Sequence, residues 1–245
     1  MRLFLRHDPA PCAGEMQGDG LSKQTHALRY RADVIIYGLV QKVFEMAGRG
    51  RPRAFDRNEA LHQAMRVFWS CGYEGASMNE LSQAMGINKP SLYAAFGCKE
   101  TLFREAIELY GREQSAPVSE ALEKGDTARG SIERALRVNA RCYTAPDNPR
   151  GCMVVTAALA GAPENSPVCR FLTENRRENE ACFRRRVERG ISDGDVPESA
   201  DPARVAAFYV TVLHGLSIQA RDGASCAALE RVVDSAIAAW DAIAR

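Results

Sequence analysis

Residues 77–103 read SMNELSQAMGINKPSLYAAFGCKETLF, and two short helical patterns meet there at a tight turn. Ser77 and Glu80 have capping-box spacing: the hydroxyl can accept from the N–H of Glu80 while the carboxylate reaches back. Met78, Leu81 and Met85 recur at helical intervals and give this first helix one buried face. Gly86 follows its last turn, where a positive φ is cheapest for glycine. Asn88 is placed to cap a second helix, and Pro90 falls in its first turn, where a missing N–H costs little. Leu92 and Phe96, four apart, point into a core, which leaves Lys89, Pro90, Ser91 and Tyr93 facing outward at the exposed end. A helix that presents small, polar and basic residues at its N-terminus suits insertion into a DNA groove.

The same logic extends both ways from this stretch. Upstream, Asp56 and Glu59 mark the start of a helix with Leu61, Ala64, Met65 and Phe68 on one stripe, ending near Cys71-Gly72. Downstream, Gly97 stops the second helix, and Lys99 to about Glu113 forms a fourth, buried through Phe103, Ala106, Ile107 and Tyr110. Four such helices make a small all-α module.

In G-x-x-x-x-S-M-x-E-L and M-G-I-N-K-P-S-L-Y-x-x-F-G-x-K-E-x-L-F the chain resembles the TetR family of bacterial transcriptional regulators. That resemblance implies a homodimer, a double-stranded DNA operator of near-palindromic sequence, and a C-terminal domain that answers to a small-molecule ligand. It places Lys89, Pro90 and Ser91 nearest the base edges, and Tyr93, Lys99 and Ser77 against phosphates. Lys99 would be helped there by the dipole of the fourth helix. Two departures stand out. Ala94-Ala95 occupy positions where many members carry His or other polar residues, and Cys98 replaces the usual Ser or Asp cap.

Charge supports selective contact over general coating. The net charge is only +1 over 245 residues, unlike a generic nucleic-acid binder. Locally, however, Arg49, Arg51, Arg53 and Arg57 stand against Asp56 alone. The G-R-G-R-P-R run lacks an apolar pattern and reads as a flexible basic arm that can follow a phosphate backbone or enter a minor groove.

Composition narrows the other classes. Apolar residues make up 46% of the chain, ample for a core, and the length allows a small N-terminal module plus a larger helical domain. The eight cysteines contain no C-x-x-C and the four histidines are scattered, so neither a zinc nor a disulfide framework is expected, in keeping with a reducing cytoplasm. The apolar run 34–44 is far short of the ~20 residues of a membrane span. There is no phosphate loop, no H-E-x-x-H and no Ser/His/Asp grouping, so an enzyme is not expected and no cofactor or metal is anticipated beyond an unknown effector.

The expected organisation is thus an extension over 1–45, non-native or disordered, with Met46 as the start of the family-like chain. A helix-turn-helix domain follows over 46–98, then an all-helical ligand-binding and dimerisation domain over 99–245 with 99–113 as the connecting helix. From Thr127 onward, helices alternate with breaks at 147–151, 161–163 and 192–197. The segment 152–160 is apolar on every side and should be surrounded by other helices. A cavity beside it, lined by Tyr143, Met153, Phe171, Phe208, Tyr209 and His214, is the expected effector site. Two rival readings go with this one. A thiol at a helix N-terminus beside Lys99 is expected to be reactive, which makes Cys98 a redox candidate. Alternatively, Ala94-Ala95 and the near-zero charge would fit a helical adaptor that has lost DNA binding.

Overall fold

The computed structural model describes residues 55–114, 116–157 and 167–245, and among the described residues every regular element is a helix. The basic arm with Arg49, Arg51 and Arg53, and the expected start at Met46, lie outside the described residues.

Helix α1 (Arg57–Gly75) begins where Asp56 accepts hydrogen bonds from the N–H groups of Asn58 and Glu59 at 2.8 and 3.2 Å. It buries Ala60, Leu61, Ala64, Met65, Phe68 and Trp69, which extends the predicted stripe by one more aromatic. The expected end near Cys71-Gly72 is a break rather than a terminus. Gly72 adopts φ 74°, ψ 176°, a backbone conformation almost confined to glycine, and one further turn follows. Helices α2 (Met78–Ala84), α3 (Lys89–Phe96) and α4 (Lys99–Gln114) complete the N-terminal head. Phe68, Leu81, Leu92, Phe96, Leu102 and Phe103 are buried together, with Phe68 and Phe103 packed edge to face at 5.0 Å.

Arg57 fastens the ends of three helices. Its guanidinium pairs with Glu105 of α4 at 2.8 Å, donates to Ala95 O in the last turn of α3 at 3.2 Å, and lies 4.3 Å from the centre of the Phe96 ring. A cation at the carbonyl end of α3 also suits that helix's dipole.

The C-terminal body consists of α5 (Ala116–Glu123), α6 (Ala128–Thr144), α7 (Met153–Thr156), α8 (Pro167–Asp193), α9 (Pro202–Arg221), α10 (Cys226–Ala238) and α11 (Trp240–Ile243). Helix α6 is the central pillar and packs against α5, α8, α9 and α10. Thr127 and Asp201 cap α6 and α9 through their side chains. Helix α5 has no counterpart in the sequence reading. The apolar segment from Cys152 contributes a single helical turn up to Ala157, and the remainder of 152–160 lies outside the described residues.

Replacing Gly72 tests the break in α1. An added Cβ would sit 2.9 Å from Ala157 O and would also strain the backbone. Gly72→Ala should lower stability by about 2 kcal/mol, or roughly 4–8 °C in Tm by differential scanning calorimetry. A second test uses His62, whose Nε2 lies 2.7 Å from Glu113 Oε1 and joins α1 to α4. The Glu113 hydrogen bond, then the Asn58 carbonyl, raises the imidazole above its ordinary 6.5. A raised folded-state pKa stabilises fully below the unfolded value and fades as pH climbs through the folded one. His62→Gln should therefore cost more stability at pH 5.5 than at pH 8.5, measured by urea melts; an equal loss at both would contradict the assignment.

Candidate nucleic-acid interface and effector cavity

The two helices at the exposed end of the head are held by local side-chain bonds. Ser77 N–H donates to Glu80 Oε2 at 2.8 Å and Glu80 N–H donates to Ser77 Oγ at 3.1 Å, so the capping box is complete. The backbone and then the hydroxyl of Ser77 keep the Glu80 carboxyl below its usual range, with a smaller contribution from Lys99. Gly86 turns the chain at φ 65°, and Ile87 N–H closes the turn onto Ser82 O at 3.1 Å. Asn88 Oδ1 accepts from Ser91 N–H at 2.8 Å and starts α3.

These constraints fix which face of α3 is presented. Leu92 and Phe96 are buried, whereas Lys89, Pro90 and Ala94 are exposed, Ser91 is half-buried, and Tyr93 is 48% exposed. Tyr93 is one of two large apolar side chains left open on the described surface, the other being Ile218. The exposed end of α3 therefore carries a cation, a small hydroxyl and an aromatic hydroxyl, together with the positive end of the helix dipole. That set matches phosphate and base-edge contacts.

Lys99 has company that the sequence did not reveal. Its ammonium lies 4.5 Å from the centre of the Tyr73 ring, which in turn packs on Phe103 at 5.1 Å and Phe68 at 6.3 Å. An aromatic face beneath the ammonium limits where the long side chain can go while keeping its charge. Tyr73 belongs to the turn after Gly72, so its ring position depends on the break in α1. Cys98 is half-buried, with Sγ 3.2 Å from Thr101 Oγ1.

A cavity of about 60 Å³ opens between the head and the body. Trp69, Tyr110, Asn139, Tyr143, Cys152, Asn179, Phe183 and Leu213 are in its wall. Of the six expected lining residues, Tyr143 is there and the other five lie outside this cavity. Met153 is buried one residue beyond Cys152. Phe171 sits under the Arg104 guanidinium at 4.5 Å. Phe208 packs edge-on against Tyr209, whose hydroxyl donates to Ala236 O at 3.1 Å, so Tyr209 serves the α9–α10 core. His214 is not in the wall; burial, and then the nearby Arg176, hold its imidazole below the usual range. The physical reason is that α9 turns its Leu213 side toward the cavity.

The wall is continuous with the head. Trp69 Nε1–H donates to Gly151 O at 3.0 Å, and its ring meets Tyr110 edge to face at 4.8 Å. Tyr73 N–H donates to Ala157 O at 2.8 Å, and Arg221 donates to Trp69 O and Ser70 O at 3.2 and 2.8 Å. Cys152 N–H donates to Ser217 Oγ at 2.8 Å. Sequence periodicity marked Tyr110 as core and did not show that it borders a cavity. Asn139, a buried amide on an otherwise apolar face, was the available signal for a polar cavity.

Comparison with known proteins agrees with this arrangement. The family model for bacterial regulatory proteins of the tetR family matches residues 60–106, and the tetracyclin repressor-like C-terminal domain matches residues 104–236. The HTH-type transcriptional repressor ComR of Escherichia coli K12 is 30% identical over 193 residues, covering 78% of this chain and 92% of that protein. BdcR, another HTH-type transcriptional repressor of the same organism, is 31% identical over 195 residues, covering 79% and 92%. A cysteine-substituted form of the TetR family transcriptional regulator CifR, solved with 26-bp double-strand operator DNA, superposes with a TM-score of 0.75 at 47% identity. It covers 78% of this chain and 100% of its own. With both domains matched in order, the chain belongs to the TetR family of bacterial regulatory proteins.

Proposed function

We propose that this protein is a cytoplasmic, homodimeric transcriptional repressor that binds a near-palindromic operator and releases it when a small molecule occupies the body. The observation that carries the reading is the exposed start of α3. Lys89, Pro90 and Tyr93 are offered to solvent, with Ser91 half-buried among them, by a helix whose other face is locked into the head. Its relatives ComR and BdcR are transcriptional repressors, and the similar regulator CifR is solved on operator DNA. They favour this function over a redox-responsive regulator acting through Cys98 and over an adaptor without DNA binding. Among the described residues no helix is long and apolar enough to cross a membrane.

Pairing of two chains fits the outer face of α9. Ala207, Thr211, Gly215 and Ile218 follow one another at helical spacing; Ile218 is 42% exposed, and a Cβ on Gly215 would meet open space. Small residues there let a partner helix approach closely, and a two-fold axis would set two α3 helices ~34–36 Å apart on one side of DNA. Within each half-site, Lys89, Pro90 and Ser91 serve the base edges, while Ser77, Tyr93, Lys99 and the arm arginines Arg49, Arg51 and Arg53 serve phosphates. An effector dissociates the complex only to the extent that it binds the non-DNA conformation better.

The test is a gel-shift titration on the DNA upstream of the gene at two salt concentrations. Wild type should bind specifically and more weakly at higher salt. Lys89→Ala should weaken specific binding at least about tenfold, consistent with ~1–3 kcal/mol per base contact. Tyr93→Phe should weaken it about threefold, and Lys99→Ala should flatten the salt dependence by about one phosphate contact per half-site. Unchanged affinity in all three variants would contradict the interface.

A further inference from the structure

We infer that α3 reads thymine methyl groups in the major groove through an apolar column made by Pro90 and Ala94, and that Ala94 is a specificity-determining residue of this protein. The inference rests on the repressor reading above and names the base chemistry of its operator.

Helical geometry sorts the exposed face of α3 into two columns. Lys89, Pro90, Tyr93 and Ala94 are all exposed, whereas Leu92 and Phe96 are buried. Residues four apart stand one above the other on a helix. Lys89 and Tyr93 therefore form a polar column, and Pro90 and Ala94 an apolar one beside it. Ala95, the other half of the departure from the family pattern, does not share this face. It is half-buried against the core, and its carbonyl accepts a hydrogen bond from Arg57 at 3.2 Å.

The side chains that α3 lacks narrow what it can read. In the major groove adenine is matched by Asn or Gln, cytosine by Asp or Glu, guanine by Arg or Lys, and the thymine methyl by an apolar group such as Ala. The helix reads KPSLYAAF and has no amide, carboxylate or guanidinium. Asn88, just before it, spends its oxygen on Ser91 N–H at 2.8 Å, which closes off the two-bond contact with adenine. Lys89 remains for guanine, and the half-buried Ser91 hydroxyl suits more than one base. Beside Lys89 and Tyr93, the presented surface is a pyrrolidine ring and a methyl.

An apolar column gains nothing from phosphates or from polar base edges. It gains by burial against the methyl that thymine projects into the groove and that the other three bases lack. Pro90 and Ala94 stand about 6 Å apart along the helix axis, so the column covers the methyls of two thymines in each half-site. The alanine that replaces a polar residue is on this account a reader of thymine and not a lost contact.

The test exchanges thymine for uracil, which removes the methyl and leaves the O4 acceptor and the pairing edge in place. DNA is first selected from a random pool with the full chain. Each thymine of the selected sequence is then replaced in turn, in both half-sites at once, and affinity is measured by fluorescence anisotropy. Burial of one such group is worth about fourfold in affinity, so the exchange should weaken wild-type binding at least about tenfold at each of two thymines per half-site. Uracil in the flanking DNA should have no effect. In Ala94→Gly the penalty should vanish at one of the two thymines and persist at the other. Comparing ratios within one variant removes any general loss from a glycine inside a helix.

A wild type that binds the selected DNA specifically yet is indifferent to every uracil overturns this inference and leaves the repressor reading standing. An Ala94→Gly protein that keeps both penalties overturns the role given to Ala94. Enrichment of no sequence from the pool overturns the repressor reading and this inference with it.

Discussion

Ala157 O is where the cavity side of this protein meets its DNA-facing side. It accepts Tyr73 N–H at 2.8 Å, just after the chain has left helical geometry at Gly72. Any side chain at Gly72 would press into that same carbonyl. Without the break, α1 would continue straight, Tyr73 would not point at Lys99, and the last turn of α1 would not lie against α7. The neighbouring bonds from Trp69, Ser70 and Arg221 repeat the attachment over one helical turn. Together they make the end of α1 part of the body as much as of the head.

That attachment gives the cavity a mechanical relation to the DNA-facing surface. Cys152, in the cavity wall with Tyr110 and Tyr143, starts α7, and Ala157 at its other end accepts the N–H of Tyr73. The ring of Tyr73 carries Lys99. The distance in sequence from Cys152 to Ala157 is a single helical turn, which is stiff. One short path of backbone therefore joins the cavity wall to the ring beneath Lys99. Electrostatics follow the same economy. The overall charge is near zero, and Arg57 is committed to Glu105, Ala95 and Phe96 inside the head, so DNA contact falls to a few exposed groups.

Much of the head was legible because its signals are local. Asp56, Ser77 and Asn88 cap helices within three residues of themselves, and Gly86 and Gly97 mark positive φ at the turns. The all-helical body was legible for the same reason, from Thr127 and Asp201. Helix α5 was missed because its few buried residues, chiefly Ala121 and Leu122, are too sparse to show a period. The cavity wall was mostly missed because it joins side chains from Trp69 to Leu213 that no spacing relates. An apolar stripe states that a residue is buried and not which neighbour it meets; Tyr209 therefore went to the α9–α10 core, with Phe208 half-buried beside it. Tyr73 was unreadable as a support for Lys99 because that contact needs the break at Gly72.

The most direct measurement is a nuclease footprint on DNA selected from a random pool, with the number of bound chains determined by sedimentation. Two protected half-sites of inverted sequence, centred about one helical turn or a multiple apart and occupied by at least two chains, are predicted. Protection that ignores sequence, or a single half-site holding one chain, would contradict a paired reading of DNA by α3.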